Sequence, residues 1–185
     1  LDLLGYDLED FRGALAEIPG IPGRLERVSG TDLFDIFVDY AHTPDAIENV
    51  LKEARKLKTR RILTLFGCGG DRDRTKRPLM AKAAWQDSDI VVLTSDNPRS
   101  EDPESILRDI KKGFPSPNQG AEIIEVLDRR EAIEKLISLA EPGDAVFILG
   151  KGHEDYQIVG DKKIPFDDRL VVQDCLKRKT RVFLS

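Results

Sequence analysis

The 185-residue sequence contains too little cysteine for a disulfide-stabilised fold. Its two cysteines, Cys68 and Cys175, cannot form the several pairs that a small secreted scaffold needs, so we expect a protein of the reducing cytoplasm. The sequence also has only two histidines, His42 and His153, and neither lies close to a cysteine. Because a zinc site needs more nitrogen or sulfur ligands than these residues supply, we predict no metal site within this sequence.

The sequence has no long apolar run and no excess of positive charge. No apolar stretch approaches the roughly 20 residues that cross a bilayer, so membrane insertion is not expected. The net charge is −5, with a pI near 5.2, and the charged run Arg72–Arg77 mixes both signs. Nucleic acid is therefore an unexpected partner. The start, Leu1–Leu4, has no basic segment, so we expect no signal peptide and interpret it as an interior point of a longer chain.

Two familiar nucleotide-binding motifs are absent. No G-x-x-x-x-G-K-[ST] loop occurs, which excludes a self-contained P-loop, and no G-x-G-x-x-G stands after the first predicted strand, which disfavours a dinucleotide-binding domain. The glycine-rich segment Gly67–Gly70 leaves two interpretations open. Its backbone N–H groups could approach an anion, or the segment could be a flexible turn with its charges in water.

Apolar strands alternate with amphipathic helices along most of the sequence. Strands are predicted at 34–38, 61–66, 90–94, 122–126 and 145–149, with a hairpin at 157–164. Helices are predicted from about 43, 77, 102, 128 and 168, and residues 181–184 are either a short final strand or a frayed tail. Continuously apolar strands are typical of a parallel sheet covered on both faces. We therefore predict an α/β, Rossmann-like fold with a mostly parallel sheet of about six strands.

The first 28 residues differ from the remainder. A helical pattern from Leu4 to Ala16 is broken sharply by the Pro/Gly-rich stretch Ile18–Gly23. We interpret residues 1–28 as the tail of a preceding domain with its linker, and residues 29–185 as one α/β domain.

Unusual polar residues follow four of the predicted strands. The segments are Asp39–Asp45, Gly67–Pro78, Asp96–Arg99 and Gly150–Tyr156, and together they contain both histidines. Ligands of parallel α/β sheets bind beyond the carboxyl ends of the strands, so we expect these four segments to form one site. Asp39 has two interpretations here, as a cap of the following turn or as a group that binds a ribose hydroxyl.

Five motifs in this order resemble the Mur ligases. They are PGRLERV (22–28), DYAHTPD (39–45), FGCGGDRD with the following KRP (66–78), DNPR (96–99) and GKGHEDYQ (150–157). The resemblance is nearest to the members that add meso-2,6-diaminopimelate to UDP-MurNAc-L-Ala-D-Glu in peptidoglycan synthesis. It implies an ATP-dependent ligase in which ATP phosphorylates the D-Glu carboxylate and the amine of the amino acid attacks the acyl phosphate. It also implies that this sequence is the C-terminal domain, inactive alone.

The resemblance assigns binding residues but no catalytic residue to this sequence. The residues matching the ATP side are Arg24, Asp39, Tyr40 and His42, and those matching the meso-diaminopimelate side are Arg72, Asp96, Asn97, Arg99, Gly150 and Glu154. ATP and Mg²⁺ are the implied cofactors, and the metal ligands are expected in a central domain outside this sequence. UDP-MurNAc-L-Ala-D-Glu is expected to be held by those other parts of the enzyme.

The substrate's chemistry suits these residue types. Arg72 and Arg99 could clamp a planar carboxylate with forked hydrogen bonds, and Glu154 could accept from a distal ammonium. Lysine lacks the distal carboxylate and would leave a guanidinium unpaired. Two alternatives stay open at this point: a stand-alone amino-acid or nucleotide-binding module, and a folylpolyglutamate-synthetase-like ligase domain, which DNPR and GKGHE disfavour.

Overall fold

A computed structural model describes residues 21–28, 33–115 and 120–183. Eight strands are found in these residues: β1 (Glu26–Arg27), β2 (Asp35–Asp39), β3 (Ile62–Phe66), β4 (Ile90–Leu93), β5 (Glu122–Glu125), β6 (Ala145–Leu149), β7 (Tyr156–Val159) and β8 (Lys162–Pro165). Five helices accompany them: α1 (Pro44–Ala54), α2 (Lys76–Asp87), α3 (Pro103–Lys111), α4 (Arg129–Leu139) and α5 (Asp168–Phe183). The predicted α/β fold is confirmed.

Six of these strands form one sheet in the order β1-β2-β6-β3-β4-β5. Only β1 runs antiparallel to its neighbour, and the other five strands are mutually parallel. The register pairs Asp39 with Leu149 and Phe66 with Leu93, so the carboxyl ends of four central strands finish side by side. The loops after β2, β3, β4 and β6 therefore leave from one edge, as the sequence predicted.

Two apolar layers cover the two faces of this sheet. Helices α1, α2 and α3 pack on one face through buried residues that include Ile47, Met80 and Ile106. Helices α4 and α5 pack on the other face, with Ile133 and Val172 in the core. Every residue of β3, β4 and β6 is buried, which explains why these strands are apolar throughout rather than alternating.

Local sequence signals fix where the helices begin. Thr43 caps α1 by accepting from the Ala46 N–H at 3.3 Å, and Pro44 follows at the first helical position. Asp128 accepts from the Glu131 N–H at 2.9 Å and caps α4. These caps satisfy N–H groups that have no partner inside the helix, which is why Thr and Asp stand there.

The chain ends give one correction and leave one prediction open. Residues 181–183 belong to α5, so neither a final strand nor a frayed tail is found there, because the amphipathic pattern of α5 continues past the expected end. Residues Glu26 and Arg27 pair with β2, although the boundary at residue 28 itself stays a prediction. The helical pattern predicted for 4–16 lies outside the described residues.

Candidate functional site

A cleft of about 500 Å³ opens at the carboxyl ends of the central strands. All six residues predicted to bind the amino acid line this cleft: Arg72, Asp96, Asn97, Arg99, Gly150 and Glu154. Two of the residues predicted for the ATP side, Tyr40 and His42, also line it. Strand order brings these segments together, since residues 40 and 150 follow the neighbouring strands β2 and β6, whereas 67–72 and 96–99 follow β3 and β4.

The DNPR segment is held by the β7–β8 hairpin rather than by its own turn alone. The Arg99 N–H donates to the Ile158 carbonyl at 3.0 Å, and the Gly160 N–H donates to the Arg99 carbonyl at 2.8 Å. Arg99 has a positive φ of 52°, which is uncommon for a residue with a side chain. The flanking hydrogen bonds stabilise this conformation, and a conformation of this kind found at a cleft is typical of a functional position.

The Arg99 side chain lies half-buried in the cleft with part of its guanidinium unused. Its Nη1 donates to the carbonyls of Gly70, at 2.7 Å, and Asn97, at 3.4 Å. Among the residues that the structure describes, no side chain or carbonyl accepts from its Nε or Nη2. A guanidinium anchored on one nitrogen with two others open can bind a planar carboxylate in a forked geometry.

Asn97, Glu154 and Lys151 form a connected polar cluster beside Arg99. Asn97 Nδ2 donates to Glu154 Oε2 at 3.0 Å, and Asn97 Oδ1 accepts from Lys151 Nζ at 3.2 Å. Lys151 Nζ also lies 3.1 Å from Glu154 Oε2 and 3.5 Å from Asp96 Oδ1. Lys151 is fully buried and was missed by sequence reasoning, although its position between two glycines of GKGHE was a usable signal.

Asp96 lies below this cluster and is shielded from solvent. Burial raises the pKa of the Asp96 carboxyl, while the positive charges of Arg129 and Lys151 act in the opposite direction. Arg129 is itself buried and pairs with Asp168 through two hydrogen bonds of 2.8 and 2.7 Å. Asp96 therefore lies where it can support the floor of the cleft. Arg129 was not predicted, because nothing in the sequence of a helix start shows that an arginine is buried.

The glycine-rich loop packs tightly against the DNPR segment. A Cβ added to Gly70 would lie 1.8 Å from the Pro98 carbonyl oxygen, and one added to Gly67 would lie 2.4 Å from the Thr94 carbonyl oxygen. Gly67 and Gly70 are buried, whereas residues 71–76 are exposed. The close contacts of Gly67 and Gly70 contradict a flexible turn there, whereas the exposure of residues 71–76 agrees with the expectation that their charges lie in water. Within this loop, burial raises the pKa of the Cys68 thiol to about 12, so the thiol stays protonated.

An ion-pair cluster behind the loop fixes its far side. Arg77 is buried and donates to Glu101 and Asp109 at distances between 2.7 and 3.0 Å. Its Nη2 also lies 3.3 Å from the Gly69 carbonyl oxygen. Arg72 is by contrast exposed, and its one hydrogen bond within the described residues goes to the neighbouring Asp71 carbonyl at 3.2 Å. Arg72 thus lines the cleft as an exposed residue.

Asp39 lies at the end of β2 with both carboxylate oxygens engaged. Oδ2 accepts from the Leu25 N–H and Oδ1 from the Ala41 N–H, each at 2.7 Å. The expectation that Asp39 caps the following turn is confirmed by these bonds. The same bonds tie the segment around Leu25 to the strand end.

One guanidinium and two imidazole rings lie close to the Tyr40 ring. The Arg24 guanidinium lies 5.1 Å from the Tyr40 ring centroid, and the rings of His42 and His153 lie 4.5 and 5.3 Å from it. Backbone contact supports this arrangement, because a Cβ on Gly152 would lie 2.6 Å from the Gly23 carbonyl oxygen. The predicted ATP-side residues are thus brought together, and such a group of tilted aromatic rings beside a guanidinium has the chemistry to contact a nucleotide base or phosphate.

Comparison with known proteins identifies the family to which these motifs belong. Residues 23–152 match the family described as "Mur ligase, glutamate ligase domain". The chain belongs to the Mur ligase family. The 2,6-diaminopimelate-adding UDP-N-acetylmuramoyl-L-alanyl-D-glutamate ligase of Trichormus variabilis is 55% identical over 168 residues, which is 90% of this chain and 33% of that protein. The Geobacillus thermodenitrificans ligase of the same name is 51% identical over 175 residues, 95% of this chain and 35% of that protein.

Solved structures agree with this family assignment. A structure of UDP-N-acetylmuramoyl-L-alanyl-D-glutamate–2,6-diaminopimelate ligase superimposes with a TM-score of 0.82 at 42% identity, covering 97% of this chain and 36% of that chain. Folylpolyglutamate synthase of Mycobacterium tuberculosis shares the fold with a TM-score of 0.59 at 21% identity, over 95% of this chain and 35% of that chain. The chain thus spans about a third of the length of the Mur ligases it matches.

Two kinds of feature are absent from the residues that the structure describes. None of the helices found in 21–28, 33–115 and 120–183 is both long and apolar enough to cross a membrane. Across the same residues, no three His, Cys, Asp or Glu side chains cluster in a way that could hold a metal ion.

Proposed function

We propose that this chain is the amino-acid-binding part of a ligase that joins meso-2,6-diaminopimelate to UDP-MurNAc-L-Ala-D-Glu with consumption of ATP. The names of the most similar relatives support this reaction. The ligase makes an amide: ATP transfers a phosphoryl group to the D-Glu carboxylate, the amine attacks the acyl phosphate, and phosphate leaves. We place the reaction in the cytoplasm, and we infer that this chain binds the amino acid but does not perform the chemistry alone.

The observation that carries this proposal is the pairing of opposite charges in the cleft. Arg99 offers two unengaged guanidinium nitrogens, and Glu154 offers Oε1, which has no hydrogen bond to another described residue. An amino acid presents a carboxylate and an ammonium, so each group finds its counterpart. Both protein groups are already held by other hydrogen bonds, which lowers the ordering cost of binding.

The distal end of the substrate explains why the site needs a guanidinium, which can donate two parallel hydrogen bonds to a carboxylate. Meso-diaminopimelate has an amine–carboxylate centre at each end, whereas lysine has only the ammonium at the distal end. We infer that Arg99 binds the distal carboxylate, with Arg72 closing over it from the rim. Lysine binding would desolvate the Arg99 guanidinium without providing a partner, and this mismatch disfavours lysine.

ATP is proposed to lie against the Tyr40 side of the cleft. Arg24, Tyr40 and His42 provide cationic and aromatic surface there, while Asp39 holds the strand end through the Leu25 and Ala41 N–H groups. Mg²⁺ would neutralise phosphate charge during phosphoryl transfer. We assign its ligands, and those of UDP-MurNAc-L-Ala-D-Glu, to the parts of the ligase beyond this chain.

Steady-state kinetics of the full-length ligase test the proposal through Arg99→Ala. The substitution removes a charge-assisted pair, so we expect kcat/KM for meso-diaminopimelate to fall by a factor of about 100 or more. The KM for ATP should change by less than about threefold, because the Arg99 guanidinium is held at the Gly70 carbonyl and ATP is proposed to bind beside Tyr40. Arg108→Ala is the matched control, since that arginine is exposed on α3 and pairs only with Asp102 and Glu104 among the described residues.

Two results would contradict the proposal. An equal loss for ATP and meso-diaminopimelate in Arg99→Ala would show that Arg99 supports the structure rather than the amino acid. Turnover of ATP by the present chain alone, with both other substrates added, would place the chemistry within it.

A further inference from the structure

Lys151 is a fully buried ammonium whose three protons are all committed. Its Nζ lies 3.1 Å from Glu154 Oε2, 3.2 Å from Asn97 Oδ1 and 3.5 Å from Asp96 Oδ1. A buried ammonium is costly unless it is paired and hydrogen-bonded. Because each donor already has an acceptor, Lys151 has no proton left for a ligand and acts only through its three neighbours.

The orientation of the Asn97 amide is fixed by this ammonium together with one backbone N–H group. The Ile158 N–H donates to Asn97 Oδ1 at 2.9 Å, and Lys151 donates to the same oxygen. Both partners are donors only, so the oxygen must face them and the NH₂ group must face the opposite way. One Nδ2 proton then goes to Glu154 Oε2, which leaves the second proton for the cleft.

The orientation of Glu154 follows from the same contacts. Oε2 accepts from both Asn97 Nδ2 and Lys151 Nζ, so the carboxylate is fixed by one of its two oxygens. Oε1 is left as the acceptor that faces the cleft. The pair therefore presents one amide donor beside one carboxylate acceptor, an arrangement that matches an adjacent carboxylate and ammonium of an amino acid.

The backbone around Lys151 keeps the ammonium in place. Gly150 and Gly152 have φ values of 114° and 53°, a region that favours glycine. A Cβ on Gly150 would lie 3.1 Å from Asp96 Oδ2, so the missing side chain lets the Asp96 carboxylate approach. The short segment from β6 to the hairpin thus directs Lys151 inward from the strand end.

We propose that Lys151 is the positioning residue of the amino-acid site: it fixes Asn97 and Glu154 in the orientation that binds meso-diaminopimelate. The inference rests on the proposed function and adds to it a residue that touches no substrate. It predicts that loss of the Lys151 ammonium weakens amino-acid binding while the chemical step at saturation is largely retained. A residue needed only for folding would instead reduce the active fraction and leave KM unchanged.

The test is Lys151→Met in the full-length ligase, with Lys162→Met as the matched control. Methionine keeps the unbranched shape and removes the charge, and Lys162 is exposed on the hairpin. For Lys151→Met we expect the KM for meso-diaminopimelate to rise about 100-fold, with kcat and the KM for ATP within about threefold of the wild type. Lys162→Met should leave all three parameters unchanged.

A second background keeps the test decisive if the single variant does not fold. Asp96→Asn combined with Lys151→Met removes one buried charge of each sign, and it is compared with Asp96→Asn alone. A further rise of about 30-fold or more in the KM for meso-diaminopimelate supports the positioning role. An unchanged KM, in either background, overturns it.

The wild-type ligase separates this inference from the proposed function. If the wild type does not use meso-diaminopimelate, the proposed function fails, whatever the variants do. If the wild type uses it and Lys151→Met binds it equally well, only the positioning role fails.

Discussion

At the scale of single residues, the cleft depends on three cations that are removed from water. Arg77, Arg129 and Lys151 are all buried at or behind the strand ends, and each lies against at least one carboxylate. Buried charges are tolerated when they are paired and hydrogen-bonded. Their carboxylate partners should therefore matter more to stability than the many ion pairs at the exposed surface, which contribute little.

Asp109 provides a pH-dependent test of this statement. Hydrogen bonds from Lys112, Arg74 and Arg77 hold the pKa of the Asp109 carboxyl well below its usual range. A lowered folded-state pKa adds stability that is present above the unfolded pKa, near about 3.9, and is lost as the pH falls through the folded pKa. We expect Asp109→Asn to lower the free energy of unfolding by about 1–2 kcal/mol at pH 7.

Urea denaturation of this chain at pH 7 and pH 3 measures the effect. The difference between the wild type and Asp109→Asn should shrink at pH 3, where the carboxyl of the unfolded wild type is mostly protonated. Asp161→Asn, in the exposed hairpin turn, is the control and should show no difference at either pH. A difference of the same size at both pH values would contradict the role assigned to the Asp109 charge.

At the scale of elements, the site is built by contact between loops that follow different strands. The glycine-rich loop after β3 contacts the DNPR segment after β4, and the hairpin after β6 holds that segment from the other side. The Gly70 N–H donates to the Asn97 carbonyl at 2.9 Å, and Gln157 Nε2 donates to the Asp96 carbonyl at 2.8 Å. Movement of any one of these loops should therefore displace Arg99.

Two glycine substitutions distinguish close packing from backbone freedom. In Gly70→Ala the new Cβ would lie 1.8 Å from the Pro98 carbonyl oxygen, so the two loops must separate. We expect the free energy of unfolding to fall by about 2–4 kcal/mol. Gly160 has a positive φ of 58°, and a Cβ added there would have no atom within 4 Å. Gly160→Ala should therefore lower the free energy of unfolding only by the cost of a left-handed backbone, about 1 kcal/mol. Chemical denaturation of this chain compares the two, and equal losses would contradict the close packing.

The sequence predicted these elements well where local rules govern them. The caps at Thr43, Asp102 and Asp128 lie where Thr or Asp precedes an apolar pattern, and the structure places hydrogen bonds at all three. The parallel-sheet rule also predicted which four loops meet. These signals depend on neighbours in the chain or on strand direction, so a single sequence is enough to reveal them.

Contacts between distant segments could not be predicted in the same way. Lys151 and Arg129 are of residue types common at the surface, and the partners that hold them in the interior include Asn97 and Asp168, which lie 54 and 39 residues away. The end of α5 was also misjudged, because the short apolar run 182–184 fits a strand as well as a continuing amphipathic helix. Arg99 was predicted as a site residue, yet its dependence on the hairpin carbonyl of Ile158 follows from tertiary structure alone.

At the scale of the whole molecule, the proposed function divides the ligase reaction between this chain and other parts of the enzyme. It spans about a third of the length of the Mur ligases it matches. We propose that the cleft binds an amino acid and that phosphoryl transfer takes place in parts of the ligase beyond this chain. A division of this kind makes amino-acid recognition separable from ATP use, so the two functions should respond differently to substitutions in the cleft.

The most direct test of the account is the thermal unfolding of the full-length ligase with meso-diaminopimelate or with L-lysine. At about 100 times the dissociation constant, a bound ligand stabilises the folded state by about 2.7 kcal/mol. We therefore expect meso-diaminopimelate to raise the melting temperature by about 2 °C or more, L-lysine at the same concentration to leave it unchanged, and Arg99→Ala to abolish the shift. Equal protection by both amino acids, or a shift that survives in Arg99→Ala, would contradict recognition of the distal carboxylate by Arg99.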